Sequence, residues 1–185
     1  MNLGKMFADS CSTYKDNRAL VYENSRITFS RMDRAVNSLA NHLKALGIGK
    51  GDKVALMLPN TPEFPIAYFA CQKLGAVAVT LNVMSTSHEL RHLLDNSDAK
   101  ALFTAAQSAR RFEEIRDGLA TCRHLLLTEV DEGPLSMKRV LEAGPFEFDP
   151  SDAAEDDPAA MIYTAGLTGK PLGAVLTHGN LISQS

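Results

Sequence analysis

The stretch 163–173, read as YTAGLTGKPLG, gathers three glycines, two threonines, one lysine and one proline between two β-prone runs. Glycines let successive backbone N–H groups turn inward without Cβ obstruction, and such a concavity binds anions. Thr164 and Thr168 add hydroxyl donors, and Lys170 supplies the loop's single formal charge. Each hydrogen bond to a charged phosphate oxygen contributes about 1.5–3 kcal/mol, so a handful hold a polyphosphate tail. The same residue types also make a plain hairpin turn, and composition alone does not separate the two. The stretch is not a Walker loop, because Gly166 and Gly169 stand too close and Pro171 follows Lys170 where a Ser or Thr would hold magnesium; nor is it G-x-G-x-x-G.

Three other groups invite a chemical reading. His88-Glu89-Leu90-Arg91-His92 matches H-E-x-x-H, which on a helix would show two imidazoles to zinc with Glu89 as base. At 100° per residue, however, His88 and His92 share the face opposite Leu90, Leu93 and Leu94, so that face belongs to solvent and no metal ligand is assigned. His178 follows the loop's second β-prone run, where it is either a turn histidine or a catalytic one. His42 flanks the apolar stripe of its helix and reads as structural, and His124 opens a strand. The acids Asp149, Asp152, Glu155, Asp156 and Asp157 sit beside Pro and Ala, which suits a solvated charge run rather than a catalytic cluster.

Positioning these groups falls to an alternating series of elements. An amphipathic start (Leu3, Met6, Phe7, Cys11) is followed by a hairpin over 18–29, turning at Glu-Asn-Ser-Arg. A helix opens at Ser30, capped by that serine, carries Met32, Ala35, Val36, Leu39, Leu43 and Leu46 at the 3.6 period, and ends at Gly47. Strands are predicted over 53–58, 76–81, 99–104, 124–128, 159–163 and 174–177. Helices are predicted over 66–74 after a turn at 59–65, over 89–95 after a Ser-Thr-Ser cap, over 105–120, and over 135–143. Uncharged strand centres alternating with helices predict an α/β fold, a mainly parallel sheet with helices on both faces. Residues 1–128 read as the α/β core, 129–158 as a partly irregular acidic connection, and 159–185 as strand, loop, strand and the start of a helix in the same domain. The connection GPFEFDPSDAAEDDPA holds six acids and three prolines. Gly179–Ser185 opens like a helix with an Asn cap and stops within about two turns, so the sequence is expected to be a portion of a longer chain.

At 185 residues this is one domain's worth of chain, enough for a real core. Nineteen basic against 22 acidic residues give a net charge of −3 without a long basic block, which argues against nucleic acid as a partner. No apolar run approaches a membrane span and the N-terminus lacks the apolar core of a signal peptide, so a cytoplasmic location is expected. Cys11, Cys71 and Cys122 are far apart and form no C-x-x-C pair, which predicts reduced, buried thiols.

The loop closely resembles the phosphate-binding signature of the AMP-forming acyl-adenylate ligases, the superfamily of acyl-CoA synthetases, adenylation domains and firefly-type luciferases. In that pattern a Tyr-Thr-Ser-Gly-Thr-Thr-Gly-x-Pro-Lys-Gly loop wraps the ATP β- and γ-phosphates, and a strand ending in Thr-His follows. This chain has Tyr163, Thr164, Gly166, Thr168, Gly169, Pro171 and Gly173 in place, then Thr177, His178, Asn180 and Leu181. Residues 27–82 are similar to an earlier block of the same superfamily, with Leu-Gly-x-x-x-Gly-Asp-x-Val, Pro-Asn-x-x-Glu-Phe and Leu-Gly-Ala-Val in order.

The resemblance implies the first sub-domain of the large N-terminal domain of such a ligase, most in the style of a fatty-acid-CoA ligase. It implies a two-step reaction, in which a carboxylate attacks the ATP α-phosphate to give acyl-AMP and a thiol then takes the acyl group. ATP, Mg2+ and CoA are the implied cofactors and a carboxylic, here a fatty, acid the implied substrate. Thr164, Ala165, Gly166, Leu167, Thr168, Gly169 and Lys170 are the implied phosphate-binding residues. The resemblance places the adenine pocket, acyl pocket and catalytic residues downstream. No catalytic residue is therefore assigned here, the isolated chain is expected to bind no cofactor tightly and not to turn over, and surfaces left exposed are expected to favour a homodimer. Leu167 stands where the pattern has a hydroxyl residue and Leu172 where it has Lys or Arg, a loss of a few kcal/mol of phosphate binding. Those two departures favour an alternative, a natural truncated paralogue serving as a non-catalytic nucleotide-binding or interaction module.

Overall fold

The computed structural model describes residues 1–164 and 171–184. Helix α1 (Leu3–Thr13) leads to a two-stranded hairpin, β1 (Arg18–Tyr22) and β2 (Ser25–Thr28), and then to α2 (Phe29–Ala45). A six-stranded sheet follows: β3 (Lys53–Met57), β4 (Val77–Thr80), β5 (Ala99–Ala105), β6 (His124–Thr128), β7 (Pro158–Thr164) and β8 (Leu172–Thr177). Its order is β6-β5-β3-β4-β7-β8, parallel throughout except for β8, which runs antiparallel to β7 at the edge. The crossovers are α3 (Glu63–Leu74), α4 (Ser87–Ser97) and a broken segment around α5 (Ala109–Glu113); α6 (Met137–Ala143) and α7 (His178–Ile182) complete the chain.

The strands form where they do because both sheet faces are covered. Val54, Leu56, Ala78, Ala101 and Phe103 point into a core with α1, α2, α3 and α6, where Leu39, Leu43, Ala70 and Met137 are buried. Ala55, Met57, Val79 and Leu102 point the other way, onto Leu90, Leu93 and Leu94 of α4 and onto Phe112 and Ile115. Consecutive strand residues therefore feed opposite cores, and the runs carry no charge at their centres.

Local chemistry corrects several sequence boundaries. Helix α2 begins a residue before Ser30, because the Thr28 hydroxyl accepts the Arg31 N–H at 3.3 Å; Ser30 only meets that hydroxyl, at 3.0 Å. The cap of α7 is Thr177, with Asn180 as the third helical residue completing a capping box. The helix predicted over 105–120 is instead a 3-10 turn, α5 and a second 3-10 turn at Arg116–Gly118. Tight turns hold Phe112, Ile115 and Leu119 on the core side. Helix α4 ends the segment, Arg91 donating to the Gly118 carbonyl at 3.1 Å and Asp95 accepting the Ala120 N–H at 3.1 Å.

The acidic connection carries its acids outward, yet its backbone is bound. Asn41 donates to the Pro145 and Glu147 carbonyls and Asn37 to that of Phe146. Asn2 donates to those of Ser151 and Ala153, and the Ser151 N–H donates to the Lys73 carbonyl at 2.7 Å. Buried Asn37 also joins Lys73, whose ammonium lies 2.6 Å from Asn37 Oδ1 and 2.7 Å from Asp33 Oδ1. No helix among the described residues is long and apolar enough to cross a membrane.

Candidate functional site

Register decides what stands near the loop. Strands β7 and β8 are paired from Pro158↔Thr177 up to Thr164↔Leu172, so the segment 165–170 is delivered at the carboxyl end of β7. In open α/β sheets ligands bind beyond the carboxyl ends of the parallel strands. Thr164 is exposed there, and its hydroxyl makes a long 3.5 Å contact with the Leu172 carbonyl, which leaves it able to donate elsewhere. Of the predicted phosphate-binding residues, Thr164 is thus at the strand end; Ala165, Gly166, Leu167, Thr168, Gly169 and Lys170 lie outside the described residues.

His178 belongs elsewhere. Thr177 pairs with Pro158 at the start of β7, so His178 sits at the opposite end of the hairpin, about 20 Å of strand from Thr164. It is a core residue rather than a turn or catalytic histidine, fully buried, and its Nδ1 accepts the Leu3 N–H at 3.3 Å. Burial lowers its pKa, opposed by the charge of Asp157. Nearby, Asp157 pairs with Lys50 at 3.0 Å and Glu155 faces the terminal amine at 3.5 Å. The Ala154 N–H and Lys50 together hold the Asp157 carboxyl below its ordinary value.

Helix α4 lies against the loop's flanks. Its amino end is fixed by a Thr86–Glu89 capping box, and the Thr86 N–H holds the Glu89 carboxyl low. His88 and His92 are exposed on the face away from buried Leu90, Leu93 and Leu94, as the helical angle predicts. That face opens on a groove of about 800 Å³ that also includes Asn96 and Pro171. From β7, Tyr163 donates to Asn96 Oδ1 at 2.7 Å. Burial raises the Tyr163 pKa, so the phenol carries its proton at neutral pH. Sequence reasoning named Tyr163 only as a motif residue and missed Asn96, which carries no local signal for this contact.

Along the same hairpin Ile162, Leu172 and Val175 are exposed, Leu172 to 63%. A second cavity, of about 770 Å³, opens beyond the carboxyl end of β6; Arg26, Arg31 and Arg34 on its rim are offset by Glu63, Glu129 and Glu142. Among the described residues no three His, Cys, Asp or Glu side chains gather into a cation site. All three cysteines are buried and free, each thiol pushed up to about 12 by burial.

Residues 7–185 match the family model described as AMP-binding enzyme. A crotonobetaine/carnitine–CoA ligase of Salmonella paratyphi A is 33% identical over 192 residues, covering 97% of this chain and 37% of its own length. The chain thus spans little more than a third of the curated relatives it matches. Among solved structures, a Mycobacterium tuberculosis fatty acyl CoA synthetase superposes with a TM-score of 0.85 at 31% identity, over 96% of this chain and 34% of that one. An anthranilate CoA ligase in complex with anthranoyl-AMP gives 0.89 at 25% identity, over 96% and 35%.

Proposed function

The chain belongs to the AMP-binding enzyme family, and from that premise we propose that it is the N-terminal portion of an ATP-dependent, AMP-forming acyl-CoA synthetase. The observation that carries this reading is the delivery of a Gly/Thr/Lys segment at the carboxyl end of a parallel strand, with the Thr164 hydroxyl exposed at its start. In the proposal, segment 164–170 holds the β- and γ-phosphates of ATP, with Thr164 and Thr168 donating hydroxyls, Gly166 and Gly169 opening the backbone, and Lys170 neutralising charge. Ala165 and Leu167 take part through backbone N–H groups. Fixing the tail in this way orients the α-phosphorus for in-line attack by a carboxylate and stabilises the departing pyrophosphate. Magnesium comes with the phosphates and spreads their charge.

A carboxylic acid is the acyl donor and CoA the acceptor. Fatty acids are the favoured class, supported by the likeness to a fatty acyl CoA synthetase; the carnitine-type and anthranilate relatives name other carboxylates. In this reading the adenine and acyl pockets belong to sequence downstream, so the isolated chain binds the phosphate tail weakly and does not turn over. The alternative, a non-catalytic nucleotide-binding module, draws on Leu167 and Leu172 standing where a hydroxyl and a cation would hold phosphate.

Calorimetry with magnesium separates the two. The synthetase reading expects ATP and inorganic triphosphate to bind this chain alike and weakly. Micromolar ATP affinity with adenine preference would overturn it in favour of the module.

A further inference from the structure

Tyr163 connects both strands that flank the loop to a helix on one face of the sheet. Its ring shares a face with Met161, and both pack on the core formed with α4. Directly opposite in register is Gly173. A Cβ at Gly173 would lie 3.0 Å from Met161 Sδ and 3.4 Å from Tyr163 Cε1, so the ring and thioether already fill the space a side chain would take. Beyond the ring, the hydroxyl is 2.7 Å from Asn96 Oδ1 and 3.5 Å from the Leu93 carbonyl. The receiving helix is itself braced, since the Ser97 hydroxyl donates to the Leu93 carbonyl at 2.7 Å and Leu93 and Leu94 are buried. Pro171, at the other end of segment 165–170, lines the same groove as Asn96.

The need for such a brace follows from topology. Among the described residues strand β8 is an edge strand with a single neighbour, and its ladder with β7 ends at Thr164↔Leu172. Hairpin ends of this kind open at low free-energy cost. An anion site made of backbone donors loses affinity by whatever ordering its ligand must impose.

We propose that Tyr163 and Asn96 form a clamp that fixes the mouth of the β7–β8 hairpin on α4, and so act as positioning residues for polyphosphate binding by segment 164–170. The proposal rests on the reading of that segment as a phosphate site. Neither residue touches phosphate; each acts by holding the strand ends at a set separation.

The experiment uses this chain with Tyr163→Phe, Asn96→Ala and the double variant. Affinity for magnesium-bound inorganic triphosphate is read by 31P NMR, and amide exchange is read at Leu172–Thr177. Each single variant is expected to weaken triphosphate binding about fivefold, the worth of one net hydrogen bond, and to speed exchange at Leu172 and Gly173. The double variant should be no worse than Tyr163→Phe, which already removes the hydroxyl that Asn96 accepts. Asn96→Asp, which keeps an acceptor for the phenol, should retain the slow exchange. Unchanged affinity in Tyr163→Phe, or additive losses in the double variant, would overturn the clamp while leaving the phosphate site standing. Failure of the unsubstituted chain to bind triphosphate would overturn the phosphate reading and the positioning role with it, whatever the exchange rates.

Discussion

Leu172 offers the cleanest way to strengthen the site rather than break it. It opens β8 directly across from Thr164 and is 63% exposed, so Leu172→Lys removes little from any core. Its stability cost should stay within about 0.5 kcal/mol. Cross-strand partners have Cβ atoms roughly 5 Å apart, so a lysine stem carries its ammonium to any phosphate that the Thr164 hydroxyl reaches. Two magnitudes compete for the gain. A charge-assisted hydrogen bond contributes about 1.5–3 kcal/mol, whereas an ion pair open to water gives about 0.2–1 kcal/mol. The exposure at Leu172 selects the second, so the expected gain is about 1 kcal/mol, roughly a fivefold tighter binding of magnesium triphosphate.

The matching control is Val175→Lys. Val175 pairs with Met161 on the opposite face of the hairpin and is also exposed, so the same charge added there should leave affinity unchanged. Titration calorimetry at low and at high salt reads both variants, and the Leu172→Lys gain should shrink as the Debye length falls from about 10 Å to about 3 Å. Equal effects of the two substitutions, or none from Leu172→Lys, would refute the placement of phosphate at the Thr164–Leu172 mouth.

The remaining predictions concern what holds the scaffold. Lys73→Ala strands a buried Asn37 and a partly buried Asp33 and should cost about 3 kcal/mol. That lowers the melting temperature by roughly 6–12 °C; Lys73→Met with Asp33→Asn should cost less, and a loss under about 1 kcal/mol from Lys73→Ala would contradict the network's role. The His178 pKa is lowered below its ordinary 6.5, so the unfolded chain takes the proton first as pH falls. Stability is therefore full above about pH 6.5 and declines below it, toward the lowered folded value, in denaturant melts. His42 is lowered by burial as well, so His178→Gln should flatten that decline without abolishing it. An unchanged slope would contradict the buried neutral assignment.

Much of the fold was legible because burial on both faces writes itself into a strand. Val54 to Met57 and Ala101 to Phe103 alternate between two cores, and no charge interrupts them. Cap identities were less legible, since Thr28 and Ser30, or Thr177 and Asn180, offer the same chemistry two or three residues apart. Contacts distant in sequence left no local trace. His178 is set by Leu3, 175 residues away, and Asn96 by Tyr163, 67 residues away. The acidic connection looked like a solvated run because its acidic side chains face outward; its attachment runs largely through backbone carbonyls, which composition does not register.

Polyphosphate binding at the mouth of the β7–β8 hairpin is open to direct measurement. Backbone amide shifts of this chain, followed during titration with magnesium-bound inorganic triphosphate, should change saturably at residues 164–173, and ATP should reproduce the pattern at similar concentration. Shifts confined to the Arg26–Arg34 cavity, or none at residues 164–173, would contradict it.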